Sequence, residues 1–139
     1  MKLSDYVAEF LAAQGIRHVF GIIGGASLHL VDSLAKTPGT TIICPQHEQA
    51  GSMAADAYAR VTGNLGAAIA TSGPGATNMI TGVCCAYYDS VPVIFITGQA
   101  ASHRNRADTG VRQVGFQETP TVEMFRPVTK YAVLVEDPQ

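Results

Sequence analysis

The chain has 139 residues, enough for one domain, with nine Lys and Arg against eleven Asp and Glu. Charged residues are 14% of it, against about 25% in an ordinary soluble domain, while the hydrophobic share is ordinary. A net charge of −2 without a basic stripe excludes a nucleic-acid surface, the apolar content excludes disorder, and no apolar run reaches the length of a membrane span, about 18 residues.

Helix and strand signals alternate along the chain. Ser4 or Asp5 is placed to cap a helix through Ala13, with Tyr6, Val7, Phe10 and Leu11 at helical spacing. Residues 18–23 read as a short buried strand ending in Gly24-Gly25, and 26–35 as an amphipathic helix stopped by Thr37-Pro38-Gly39. A strand over 40–44 closes at Pro45, and 47–61 is a helix rich in small residues. The strand over 65–71 runs through Ser72-Gly73-Pro74-Gly75 into a helix reaching about Tyr87. The run 91–97 is apolar and β-branched, which suits a strand covered on both faces. A polar loop over 99–115 carries Arg104, Arg106, Asp108 and Arg112, and is followed by a short helix at 119–125 and a last strand at 131–135. Strands alternating with helices predict an α/β, doubly wound fold with a mainly parallel sheet and helices on both faces. Glu136-Asp137-Pro138 has the form of a helix start. We read residues 1–135 as the domain and 136–139 as the beginning of a linker or next domain.

Charge placement and cysteine usage bear on context. Between residues 61 and 103 Asp89 is the one charged side chain, which predicts that neighbouring surfaces cover part of this domain. The N-terminal residues lack the apolar core of a signal peptide. Cys44, Cys84 and Cys85 fit neither a disulfide framework nor a CxxC pair, which points to the cytoplasm. Cys84 and Cys85 read as buried, inert thiols, and nothing has metal-ligand spacing.

In open α/β sheets ligands bind beyond the carboxyl ends of the strands. Four post-strand loops therefore converge: 21–25, 45–48, 71–78 and 97–99. The segment 72–78 joins glycines that let a ligand approach the backbone to a helix N-terminus. It matches neither a Walker loop nor GxGxxG, and serves equally as a tight turn. Glu48 stands in the first turn of a helix, where an acid complements the dipole; it is also a candidate for proton exchange if held in a dry crevice. His18 and His29 read as structural, His47 as a helix cap or site residue, and His103 lies in the polar loop.

The segments Val19-Phe20-Gly21-Ile22-Ile23-Gly24-Gly25-Ala26, His47-Glu48-Gln49-Ala50-Gly51-Ser52-Met53-Ala54-Ala55-Asp56-Ala57-Tyr58-Ala59-Arg60, Thr71 to Asn78, and Phe116-Gln117-Glu118 follow one another in the order and spacing of one fold. Across essentially its whole length the chain resembles the N-terminal pyrimidine-binding domain of thiamine diphosphate enzymes of the acetolactate synthase type. The resemblance implies a lyase or transferase acting on a 2-oxo acid by decarboxylation or carboligation. It implies that Glu48 hands a proton to N1′ of the cofactor's aminopyrimidine, so that N4′ removes the thiazolium C2 proton and an ylide forms. It places Pro74 and Asn78 against the pyrimidine, Gln117 near the reacting centre, and the backbone of Ile22, Ile23 and Gly24 along the ring. Ile23 stands where the family usually has proline, which loosens that turn.

The Gly-Asp-Gly motif that holds the diphosphate and Mg²⁺ in the family does not occur in this sequence. The resemblance therefore implies half a site, completed by the diphosphate-binding domain of a neighbouring subunit in a homodimer or tetramer. The chain alone would be inactive. Whether the parent enzyme carries FAD, and which 2-oxo acid it uses, stay open. The alternative is a stand-alone module holding a nucleotide or phosphate on 72–78.

Overall fold

In the computed structural model, which describes residues 1–104 and 109–137, four parallel strands form one sheet. Helix α1 (Leu3–Ala13) precedes β1 (His18–Gly21), and α2 (Leu28–Lys36) leads to β2 (Thr41–Ile43). Then come α3 (Glu48–Thr62), β3 (Gly66–Ala70), α4 (Pro74–Thr77), α5 (Ile80–Tyr88) and β4 (Val93–Thr97), with α6 (Thr121–Phe125) near the end. The strand order is β2-β1-β3-β4, so β1 and β3 are central. The α/β doubly wound expectation is met.

Side-chain alternation on β3 divides the core. Ala67 and Ile69 join Ala8 and Leu11 of α1, Val31 and Leu34 of α2, and Val19 of β1. Ala68 and Ala70 face the other way, onto Ala55 of α3, Met79, Val83 of α5 and Phe125 of α6. Every residue of β3 is buried, so helices cover both of its faces. Small side chains on β3 let the helices lie close to it. Arg60, in the last turn of α3, bonds Asp56 at 2.8 Å and Asp89 just past α5 at 2.6 Å. These two carboxylates raise the guanidinium's already high pKa, Asp56 more strongly.

Four expectations change. The first helix is capped at Lys2, not at Ser4 or Asp5; the Asp5 carboxylate reaches back to the Lys2 N–H at 3.3 Å. The strand at 93–97 is apolar throughout yet lies at the sheet edge, where each of its residues is only half-buried. The helix after Gly75 is broken into α4 and α5 at Asn78 and Met79. Residues 131–135 form no strand, and Tyr131 is 79% exposed. A strand needs a partner for its N–H and C=O groups, and this apolar segment pairs with no edge of the sheet. Arg106, Asp108 and Pro138 lie outside the described residues.

Candidate functional site

Helix α3 begins at the end of the loop after β2. The His47 Nδ1 accepts the Gln49 N–H at 3.2 Å, capping the helix and placing Glu48 at its first position. The Asn78 amide, at the break between α4 and α5, donates to Glu48 Oε2 at 3.0 Å. A Cβ built on Gly75 would stand 3.4 Å from Oε1 of the same carboxylate and 2.8 Å from the Thr71 methyl. Glycine thus keeps the floor beneath Oε1 clear. Glu48 is half-buried in this chain, so the dry crevice expected for it is not closed by these residues alone.

Thr71, at the end of β3, links two loops. Its hydroxyl accepts the Ala26 N–H at 3.3 Å. A Cβ on Gly24 would overlap the Thr71 side chain, and Gly75 lies on its other side. Gly24, Thr71, Gly75, Glu48 and Asn78 therefore form one connected floor. Ile22 is half-buried beside it, while Ile23 and Pro74 are exposed at its edge.

Gln117 arrives from the opposite direction. Gly73 has φ +59°, and a Cβ there would stand 2.5 Å from the Gln117 carbonyl oxygen and 2.8 Å from its Cβ. Gln117 itself has φ 54°, which is strained for a residue with a side chain. The turn Gly73-Pro74-Gly75 is thus held between Gln117 at one end and Glu48 at the other. Thr71, Gly73 and Gly75 were visible only as members of a loop motif, because their importance lies in contacts between distant segments.

The remaining candidates separate from this floor. His18 packs edge-to-face on Tyr58, and His29 is exposed. Cys84 and Cys85 are half-buried, not buried, and Cys44 is exposed. Helix α4 has a single turn with Pro at its start. It lacks the aligned peptides and the full set of free N–H groups that make a long helix an anion site. Among the described residues no group of three or more His, Cys, Asp or Glu could hold a metal ion, and no helix is long and apolar enough to cross a membrane.

A carboxylate oriented by an amide, with Gly75 leaving space beside its free oxygen, suits a flat ring with a basic nitrogen. Residues 1–124 match the family described as thiamine pyrophosphate enzyme, N-terminal TPP binding domain. The chain is 44% identical over 133 residues to an acetolactate synthase large subunit of Buchnera aphidicola, covering 96% of this chain and 22% of that protein. It is 44% identical over 136 residues to the chloroplastic acetolactate synthase 2 of Nicotiana tabacum, covering 98% and 20%. The chloroplastic acetolactate synthase of Arabidopsis thaliana is 43% identical over 136 residues, covering 98% and 19%. The chain spans about a fifth of the length of these curated relatives. It belongs to the thiamine pyrophosphate enzymes, as their N-terminal TPP-binding domain.

Proposed function

We propose that this chain is the pyrimidine-binding half of a thiamine diphosphate-dependent 2-oxo-acid decarboxylase or carboligase of the acetolactate synthase type, a lyase or transferase. The observation that carries this reading is the Glu48 carboxylate, with Oε2 held by Asn78 and Oε1 above Gly75. When bound, thiamine diphosphate supplies the carbon nucleophile and the electron sink for decarboxylation. Glu48 in its protonated form would hold its proton on Oε1, pass it to ring nitrogen N1′ of the aminopyrimidine and be left as the carboxylate. Asn78 fixes the carboxylate so that Oε1, and not Oε2, faces the ligand. Gly24 and Gly75 would leave room for the ring, and the backbone of Ile22 and Ile23 would border it. Pro74 would pack at its rim, and Gln117 would stand toward the reacting end.

Among the described residues no cluster of His, Cys, Asp or Glu is present to hold the Mg²⁺ that would bridge to the diphosphate. We assign them to the diphosphate-binding domain of a neighbouring subunit, in a homodimer or tetramer. That subunit also seals Glu48 from water. On this reading residues 1–135 are the domain, the isolated chain is inactive, and its free cysteines suit a reducing compartment such as the cytoplasm.

Titration calorimetry with thiamine diphosphate and Mg²⁺ tests this assembly. The chain alone should bind weakly, and adding the diphosphate-binding domain should raise affinity at least about a hundredfold. Tight binding of ATP by the chain alone, with no response to thiamine diphosphate when the partner is present, would instead establish a stand-alone nucleotide module.

A further inference from the structure

The turn over 113–118 is built around Glu118. Its side chain is 6% exposed, among the few buried charged groups of the chain. Its Oε2 accepts the N–H groups of Val114 at 2.9 Å and Gly115 at 3.2 Å, and its own N–H donates to the Gly115 carbonyl at 3.1 Å. The Gln113 side-chain oxygen accepts the N–H groups of Gln117 and Glu118, both at 3.0 Å, and so supports the same turn. A carboxylate receiving two backbone N–H groups is a strong, charge-assisted clamp.

Two close approaches seat the clamped turn on the sheet's carboxyl edge. A Cβ on Gly115 would overlap the side chain of Ala100, just beyond β4. Gln117, the residue before Glu118, lies against Gly73. Gln99 strengthens the seat from below: its side chain donates to the Thr119 carbonyl at 2.7 Å and accepts the Ala100 N–H at 2.8 Å. Between the Glu118 clamp and the Gly73 contact, Gln117 is held at φ 54° with its side chain exposed. A backbone in that region relaxes unless its surroundings hold it.

We propose that Glu118 is a positioning residue for the reaction: its carboxylate, by gathering the Val114 and Gly115 N–H groups, holds Gln117 in the left-handed conformation that places it beside the Gly73-Pro74-Gly75 turn. This rests on the cofactor reading above for the reaction concerned. Glu118 acts through Gln117, in the way that supporting hydrogen bonds fix catalytic geometry elsewhere.

Two measurements test this together. In the full chain, amide hydrogen exchange at Val114 and Gly115 should quicken about tenfold or more in Glu118→Ala and much less in Glu118→Gln, which keeps an acceptor oxygen. In the complete holoenzyme, Glu118→Ala and Gln117→Ala should each lower kcat more than they raise KM, and the double variant should be no worse than the poorer single one. Glu118→Gln should recover most of the loss. Unchanged exchange in Glu118→Ala overturns the clamp; multiplicative losses in the double variant overturn its action through Gln117. Failure of the cofactor reading is separately visible in Glu48→Gln, which then retains proton exchange at the cofactor while the amide-exchange difference at Val114 persists.

Discussion

Glu48 owes its placement to three residues: His47 starts the helix, while Asn78 and Gly75, remote in sequence, fix one carboxylate oxygen and leave room at the other. Gly75→Ala should keep the fold, since the crowded partners are the ends of two side chains. It should weaken thiamine diphosphate binding to the assembled enzyme by about tenfold or more, measured by calorimetry. Gly73→Ala is the harsher change, because φ +59° disfavours any Cβ and the Gln117 backbone stands in its path. Its urea midpoint should fall by the equivalent of at least about 1–3 kcal/mol. Asp5 gives a pH prediction. The Ser33 hydroxyl, followed by Lys2, holds its carboxyl below the ordinary value of 3.8. A lowered folded-state pKa stabilises above the unfolded value and is lost as pH falls through the folded one. Asp5→Asn should therefore flatten the loss of thermal stability below about pH 4 and leave its slope at neutral pH unchanged.

At the scale of elements, α3 and α5 set the distance between Glu48 and Asn78. They meet where Gly82 faces the Ser52 side chain, a site with no space for a Cβ. Gly82→Ala should destabilise by about 1–3 kcal/mol and move Asn78 relative to Glu48. Chemical denaturation reads the first effect, and the loss of cofactor affinity the second. The sequence pattern made the alternation of helices and strands legible, because apolar periodicity is local. Motifs also singled out Glu48 and Asn78, which the fold brings within hydrogen-bonding distance, and Gln117, which it sets against Gly73. What escaped sequence patterns was decided between segments. The apolar run of β4 looks the same at a sheet centre as at an edge, and residues 131–135 have strand-forming side chains but no partner strand. The break at Asn78, which delivers its amide to Glu48, lies inside a stretch that reads as one continuous helix. Thr71 and Glu118 are recognisable only from what they touch.

For the molecule as a whole, the scarcity of charge corresponds to apolar side chains left at the surface. Tyr6 and Phe10 on α1, Val61 near the end of α3, Tyr88 on α5, Phe116 and Tyr131 are all exposed. Single exposed apolar residues are ordinary, but their number here fits a domain made to be covered. Sedimentation of the isolated chain should show association that grows with concentration; a stable dilute monomer would count against covered surfaces. The half-buried state of Glu48 is consistent with the proposed assembly, in which a neighbouring subunit would cover it. The most direct test is exchange of the C2 proton of bound thiamine diphosphate in the complete enzyme carrying Glu48→Gln. The substituted amide would keep the shape and the Asn78 contact but could pass no proton to N1′. Exchange should fall by at least about a hundredfold with the cofactor still bound; exchange at the native rate would contradict the role given to Glu48.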